Sequence, residues 1–220
     1  MQRRPQPGKR LFDVALALPA AVLLSPLMGI TAVLVATGVG SPIFFRQRRP
    51  GLLGQPFTIL KFRTMTNARD ADGNLKPDAD RMPPIGRLVR AASLDELPQL
   101  WNVIRGEMSL VGPRPLLMEY LPHYTAEQNR RHSVPPGITG WAQVNGRNVT
   151  VFSARLKLDL WYVDHWTLWL DVKILASTFV KVLRSSGFKL AQPLDEVDDI
   201  GLHPDTRKKV GAAPANSHPT

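Results

Sequence analysis

Asp95 and Glu96 stand side by side in a stretch that runs from Arg90 to Pro115, RAASLDELPQLWNVIRGEMSLVGPRP. Leu97, Leu100, Val103 and Ile104 fall roughly on one face of a short amphipathic helix, and Gly106 is its expected stop. Gly112-Pro113-Arg114-Pro115 follows, where two prolines stiffen the chain around one arginine. The carboxylates fall where the helix begins. Ser93 and Glu96 read as a capping box, although Pro98 would then lie past the first turn and remove a hydrogen bond. With Asp95 as the cap, Pro98 falls among donors that have no partner anyway. On both readings the carboxylates lie at the positive end of a helix dipole, where aspartate stays ionised and phosphate and Mg²⁺ are at home. Plain helix capping is the competing reading, because such boxes are common.

The elements that must position this pair begin at the N-terminus. Arg3, Arg4, Lys9 and Arg10 precede a run from Val14 to Phe45 that has no Asp, Glu, Lys or Arg. Its apolar heart, Val14 to Val39, exceeds the roughly 20 residues one spanning helix needs. Ser25-Pro26 breaks it near the middle. Basic residues flank both ends, with Arg46, Arg48, Arg49, Lys61 and Arg63 on the far side. The positive-inside rule then favours both flanks on the cytoplasmic face, which a hairpin satisfies; an ordinary kinked span, and after it a buried soluble helix, stay open as competing readings. The Ser25 hydroxyl is a candidate partner for backbone groups freed at the break.

Ile43–Phe45 reads as a short strand, Arg46–Gly51 as a basic turn and Pro56–Met65 as a second strand carrying Lys61 and Arg63. Residues 67–84 read as a polar loop whose aspartates miss the EF-hand spacing. Residues 85–92 form a short helix that ends at the carboxylate pair, and residues 116–131 are expected to be helical around Pro122. Gly137 to Arg147 is a Gly-rich loop, and Gln143, Asn145 and Arg147 offer a lining for a nucleotide pocket, with a plain loop as the competing reading. Phe152 to Leu183 is the longest helical pattern. Trp161, Trp166 and Trp169 on it suit a membrane–water boundary or ordinary core packing. His165 has no partner histidine and reads as structural. The chain divides into a basic segment and re-entrant helix (1–42), a catalytic domain (43–192) and a polar tail (193–220) expected to be disordered from His203 on.

The chain has 220 residues, a net charge of +10 and no cysteine. The last excludes disulfides, thiolate metal sites and cysteine nucleophiles. The charge points to an anionic partner: nucleic acid, phosphorylated metabolites or an anionic membrane face.

Together, KRLFD at 9–13, the Ser25-Pro26 break, KFRTM at 61–65, SLDELPQLWNV at 93–103, GEMSLVGPRPL at 106–116 and PGITGWAQVNGR at 136–147 resemble the bacterial sugar transferases. These are the small monotopic phosphoglycosyl transferases, and the resemblance covers about residues 8–190, with its minimal members most similar. It implies a mostly helical α+β fold: a re-entrant membrane hairpin, then a small cytoplasmic domain with interfacial amphipathic helices and a few short strands. It implies transfer of a phosphosugar from a UDP-sugar to membrane polyprenyl phosphate, with release of UMP, at the bacterial inner membrane. Carried over residue by residue, Asp95 matches the nucleophile and a metal-facing position, Glu96 its dyad partner, and Mg²⁺ the required metal. Lys61, Arg63, Arg90 and Arg114 match cationic positions suited to phosphate, and Gln143 and Arg147 a motif that meets the nucleotide. Membrane lipids are implied partners and nucleic acid is not; a homo-oligomer stays open. The competing functions are a membrane-tethered nucleic-acid binder and a scaffold without catalysis.

Overall fold

The computed structural model describes residues 6–146, 151–183, 194–203 and 205–207. The architecture is α+β and mostly helical, with two separate two-stranded sheets.

Residues 9–13 and most of the charge-free run fold as two helices, α1 (Lys9–Leu23) and α2 (Ser25–Gly38), bent by 60° at Leu24. Pro26 lies in the first turn of α2, where its missing N–H costs little. It does deprive the Val22 carbonyl of its usual i+4 donor, and the Ser25 hydroxyl fills that gap at 2.8 Å. The Ser-Pro pair therefore makes the bend and repairs it. Among the described residues no single helix is long and apolar enough to cross a membrane, while the bent pair passes that test together.

Both arms are seated on the same domain. Lys9, Asp13 and Ala17, at i, i+4 and i+8, form the buried face of α1. Ala17 joins the main core with Ile59, Leu100, Val103, Met108 and Val111. At the other end, Val35 and Val39 pack with Phe62 and Val89.

Two antiparallel strands follow, β1 (Phe44–Pro50) and β2 (Pro56–Phe62), in register from Phe44↔Phe62 to Pro50↔Pro56. Arg46 to Arg49, expected as a turn, are strand residues; the reversal comes after them, at Gly51 to Gln55. The polar stretch holds a single turn of helix, α3 (Asp78–Arg81), and then α4 (Pro84–Ala91) leads to the carboxylates. A 3₁₀ turn (Leu94–Glu96) carries the pair, followed by α5 (Gln99–Arg105), which Gly106 ends at φ 82°. Asn102 of α5 bonds the β2 backbone at Thr58 O (2.8 Å) and Leu60 N (3.1 Å), so the helix is laced to the strand.

Strand β3 (Ser109–Val111) pairs in parallel with β4 (Gly137–Thr139), a pairing not anticipated from the Gly-rich loop. The region expected as one helix at 116–131 is instead a 3₁₀ helix (Met118–His123), a short α6 (Ala126–Asn129) and another 3₁₀ turn (Arg130–Ser133). Pro122 accounts for the first interruption. After α7 (Trp141–Asn145), the long helical pattern splits into α8 (Phe152–His165) and α9 (Leu168–Leu183) at Trp166-Thr167.

The tail, expected to be disordered, is ordered over the described residues 194–203 and 205–207. A turn of helix, α10 (Leu194–Val197), brings Val197 and Leu202 into a core with Tyr120, Phe152 and Leu156. Asp198 accepts from the backbone of Leu202 (2.9 Å) and His203 (2.7 Å) and from Thr206 Oγ1. A few buried apolar groups and one side-chain cap order a segment whose composition is polar. Residues 208–220 lie outside the described residues.

Candidate active site

Neither expected cap forms. Ser93 is in the left-handed region at φ 57° with no capping bond, and the helix proper starts after Pro98. That backbone reversal turns the next two side chains inward from the end of α4. Asp95 is buried, and Glu96 is about four-fifths buried.

The two carboxylates have opposite surroundings. Glu96 Oε1 accepts from Lys61 Nζ at 2.7 Å and from Arg114 Nη2 at 2.5 Å. Burial pushes its carboxyl up, but the Arg114 and Lys61 charges more than offset that and hold it at about 2. Asp95 receives no side-chain hydrogen bond or ion pair from the described residues. Burial, and then the Glu96 charge, raise it to about 6 against the pull of Lys61, Arg90 and Arg114. Glu96 is thus a fixed anion that orients two cations, and Asp95 is a buried acceptor that no side chain of the described residues binds. Two adjacent carboxylates driven apart in this way have separate roles.

Arg114 owes its position to backbone packing. Gly112 faces β4 so closely that a Cβ would lie 2.4 Å from Pro135 O, and one on Gly137 would lie 2.1 Å from Gly112 N. Only glycines let the strands meet there, with Pro113-Arg114-Pro115 leaving their end. Arg131 then holds the Arg114 carbonyl at 2.6 Å and is itself bound to buried Asp159 of α8, also at 2.6 Å.

The other expected site residues divide. Lys61, at the end of β2, and Arg90, at the end of α4, converge with Arg114 on the dyad. Arg63 does not: its guanidinium bonds Met65 O (2.8 Å) and Ser41 O, bracing the junction between α2 and the strands. Gln143 lies on α7, and its Nε2 donates to Ile138 O at 2.8 Å, while its Oε1 is buried without a partner. Arg147 lies outside the described residues. Asn102, Arg131, Asp159 and Lys9, all structurally decisive, were not singled out as site residues. Their contacts are long-range and leave no local pattern.

Magnesium fits this donor set. Mg²⁺ takes hard oxygens and is commonly held by one or two carboxylates plus substrate phosphates. Asp95 offers two uncommitted oxygens, whereas Glu96 Oε1 is already occupied. Among the described residues no three Asp, Glu or His side chains converge, so the carboxylates here would supply only part of the shell of a Mg²⁺ ion.

A carboxylate without a side-chain partner beside a clamped one, with lysine and arginines converging on the two, is a donor set suited to phosphoryl groups. The chain belongs to the bacterial sugar transferase family, which it matches over residues 4–185. It is 56% identical over 181 residues to the uncharacterized sugar transferase EpsL of Bacillus subtilis, covering 82% of this chain and 90% of that one. It is 44% identical over 188 residues to the UDP-glucose:undecaprenyl-phosphate glucose-1-phosphate transferase of Xanthomonas campestris, covering 80% and 39%. To the undecaprenyl-phosphate galactose phosphotransferase of Salmonella typhimurium it is 39% identical over 197 residues, covering 81% and 41%. The chain thus spans about two-fifths of the length of the last two.

Proposed function

We propose that this protein transfers a phosphosugar from a UDP-sugar to undecaprenyl phosphate, releasing UMP, as an opening membrane step of bacterial glycan assembly. The observation that carries the reading is the asymmetric dyad. Asp95 is free to attack, and Glu96 fixes Lys61 and Arg114 beside it. The Asp95 carboxylate attacks the sugar-bearing phosphorus, the bond to the nucleotide phosphate breaks, and UMP leaves. The acceptor phosphate then attacks the phosphorus of the acyl phosphate and frees Asp95. Dividing the transfer in this way removes the need for a soluble donor and a lipid acceptor to be bound together. Lys61, Arg90 and Arg114 neutralise the diphosphate and the charge that grows on it. Asp95 would hold Mg²⁺, which supplies Lewis-acid neutralisation of the same phosphate oxygens.

The test is mass spectrometry of enzyme quenched with UDP-sugar and Mg²⁺ in the absence of lipid. A phosphosugar on the peptide containing Asp95, with ping-pong kinetics, is the expected result. No adduct, together with kinetics that require both substrates at once, would reassign Asp95 to a metal ligand in a direct transfer.

The bent pair is a re-entrant hairpin, and the protein is monotopic on the cytoplasmic face. Three observations support this. Each arm, of 15 or 14 residues, reaches only about 21–22 Å at 1.5 Å per residue, short of the ~30 Å hydrocarbon core. Both outer ends are fastened to one domain. The middle exposes Val22, Leu23, Ile30 and Val33. Trp101, Trp161, Trp169 and Phe179 are also exposed, and they suit the membrane–water boundary. Single cysteines placed near residues 4 and 70 should both resist an impermeant thiol reagent applied to intact cells. Labelling of one and not the other would establish a true span.

A further inference from the structure

Arg49 lies at the end of β1 and has no role in the chemistry above. Its Nη2 donates to Gln47 Oε1 at 2.6 Å, and its Nε is buried with no acceptor. No carboxylate pairs with it among the described residues. The residues that follow it, Pro50 and Gly51, line the same cleft as Pro113, Arg114 and Pro115. A second cation, Arg155 on α8, also feels the Arg114 charge. Burial and the Arg114 guanidinium both pull the Arg49 guanidinium below its ordinary value, against the weaker opposite pull of Tyr120, Glu119 and Tyr124. Half-burying a guanidinium that has no counter-charge, within the field of a second one, costs free energy. An anion between them removes the cost.

Arg114 links two sets of groups. On one side it binds Glu96, next to Asp95 and Lys61. On the other it borders the cleft that Pro50 and Gly51 share. A diphosphate whose attacked phosphorus lies at Asp95 therefore runs past Arg114 toward Arg49. We infer that Arg49 binds the second phosphoryl group of the donor, the one that leaves with the nucleoside. This rests on the phosphosugar-transfer reading, and it makes Arg49 a leaving-group subsite distinct from the dyad's own cations. The planar guanidinium suits bidentate phosphate binding.

The same chemistry could serve the acceptor's phosphate, so the test separates the two half-reactions on the full chain in nanodiscs. UMP and uridine are titrated calorimetrically against wild type, R49Q and R49K. Adduct decay is followed after addition of undecaprenyl phosphate. R49Q should bind UMP at least tenfold more weakly and uridine unchanged, R49K should recover part of the loss, and adduct should decay at the wild-type rate. UMP affinity within twofold of wild type in R49Q would overturn the inference. So would equal losses for uridine and UMP accompanied by a lower Tm, which mark a structural role. Slowed adduct decay with UMP binding intact would overturn it too, and would give Arg49 to the acceptor. Wild type that neither binds UMP nor releases it from donor would defeat the transfer reading itself, not the assignment of Arg49 alone.

Discussion

Asp95→Asn should abolish UMP release and adduct formation and at the same time make the protein more stable above pH 6. The amide is nearly isosteric but cannot attack phosphorus as an anion. The stability gain follows from linkage. The folded-state pKa of Asp95, about 6, lies above its ordinary 3.8, so the stabilisation from its protonated form is complete below pH 3.8 and is lost as pH rises through 6. At neutral pH the ionised carboxylate therefore costs up to about 3 kcal/mol at 1.36 kcal/mol per pKa unit. Removing it should raise Tm by several degrees at pH 8. The gain should vanish near pH 4. Glu96 runs the other way: held at about 2 against an ordinary 4.5, it contributes stability above pH 4.5 that is lost as pH falls through 2. The same ionisation sets activity. In the free enzyme kcat/KM for donor should fall about tenfold per unit below pH 6, as Asp95 takes up its proton. Thermal unfolding of wild type and Asp95→Asn at pH 4 and pH 8 decides the stability claim. An unchanged or lower Tm for the variant at pH 8 would mean that Asp95 is neutralised by a partner and is not a poised nucleophile.

What the sequence made legible follows the range of the interaction that decides each feature. The Ser25-Pro26 break and the α5 stop at Gly106 are set within a few residues, and both could be read locally. The Ser93 cap was local too, yet it failed: the ion pairs of Glu96 with Lys61 and Arg114 come from 35 and 18 residues away and outweigh a capping bond worth about 1 kcal/mol. Arg46 to Arg49 look like a turn because charge and Pro50-Gly51 cluster there. Pairing with Phe57, Thr58, Ile59 and Leu60 extends them into a strand, with Arg46 and Arg48 exposed. Arg63 shares a motif with Lys61 but falls just past the end of β2, where carbonyls at Ser41 and Met65 claim it. Arg49 is the same lesson reversed. Nothing in its neighbourhood marks one arginine of a basic run as the half-buried one whose Nε has no acceptor.

Lys9→Met should cost about 3–5 kcal/mol of stability, the usual penalty for stranding a buried charge by deleting its partner. Lys9 is 3% exposed and binds Asp171 Oδ2 at 2.8 Å and Asp13 Oδ1 at 3.4 Å. Neutral donors complete the two carboxylates: Tyr162 (2.8 Å) and Trp166 (3.0 Å) on Asp171, and Ser109 Oγ (3.0 Å) and Leu110 N (3.1 Å) on Asp13. This knot joins α1 to β3, α8 and α9. Burial beside Asp171 pushes the Tyr162 phenol well above its ordinary value, so it remains a donor. Methionine preserves the aliphatic stem and deletes only the ammonium, leaving two buried carboxylates with no cation. The damage should also reach the site. The next residue, Arg10, donates to Val103 O and, at 2.6 Å, to Ile104 O at the end of α5, and the turn before α5 carries the dyad. A loosened α1 therefore releases the far end of the helix that follows Asp95. Denaturation in nanodiscs should show Lys9→Met strongly destabilised, and Lys9→Met with Asp171→Asn less destabilised than the sum of the single changes, because the second removes the stranded charge. A Lys9→Met protein within 1 kcal/mol of wild type would mean that water already solvates the knot, and the hairpin would then be held by its apolar face alone.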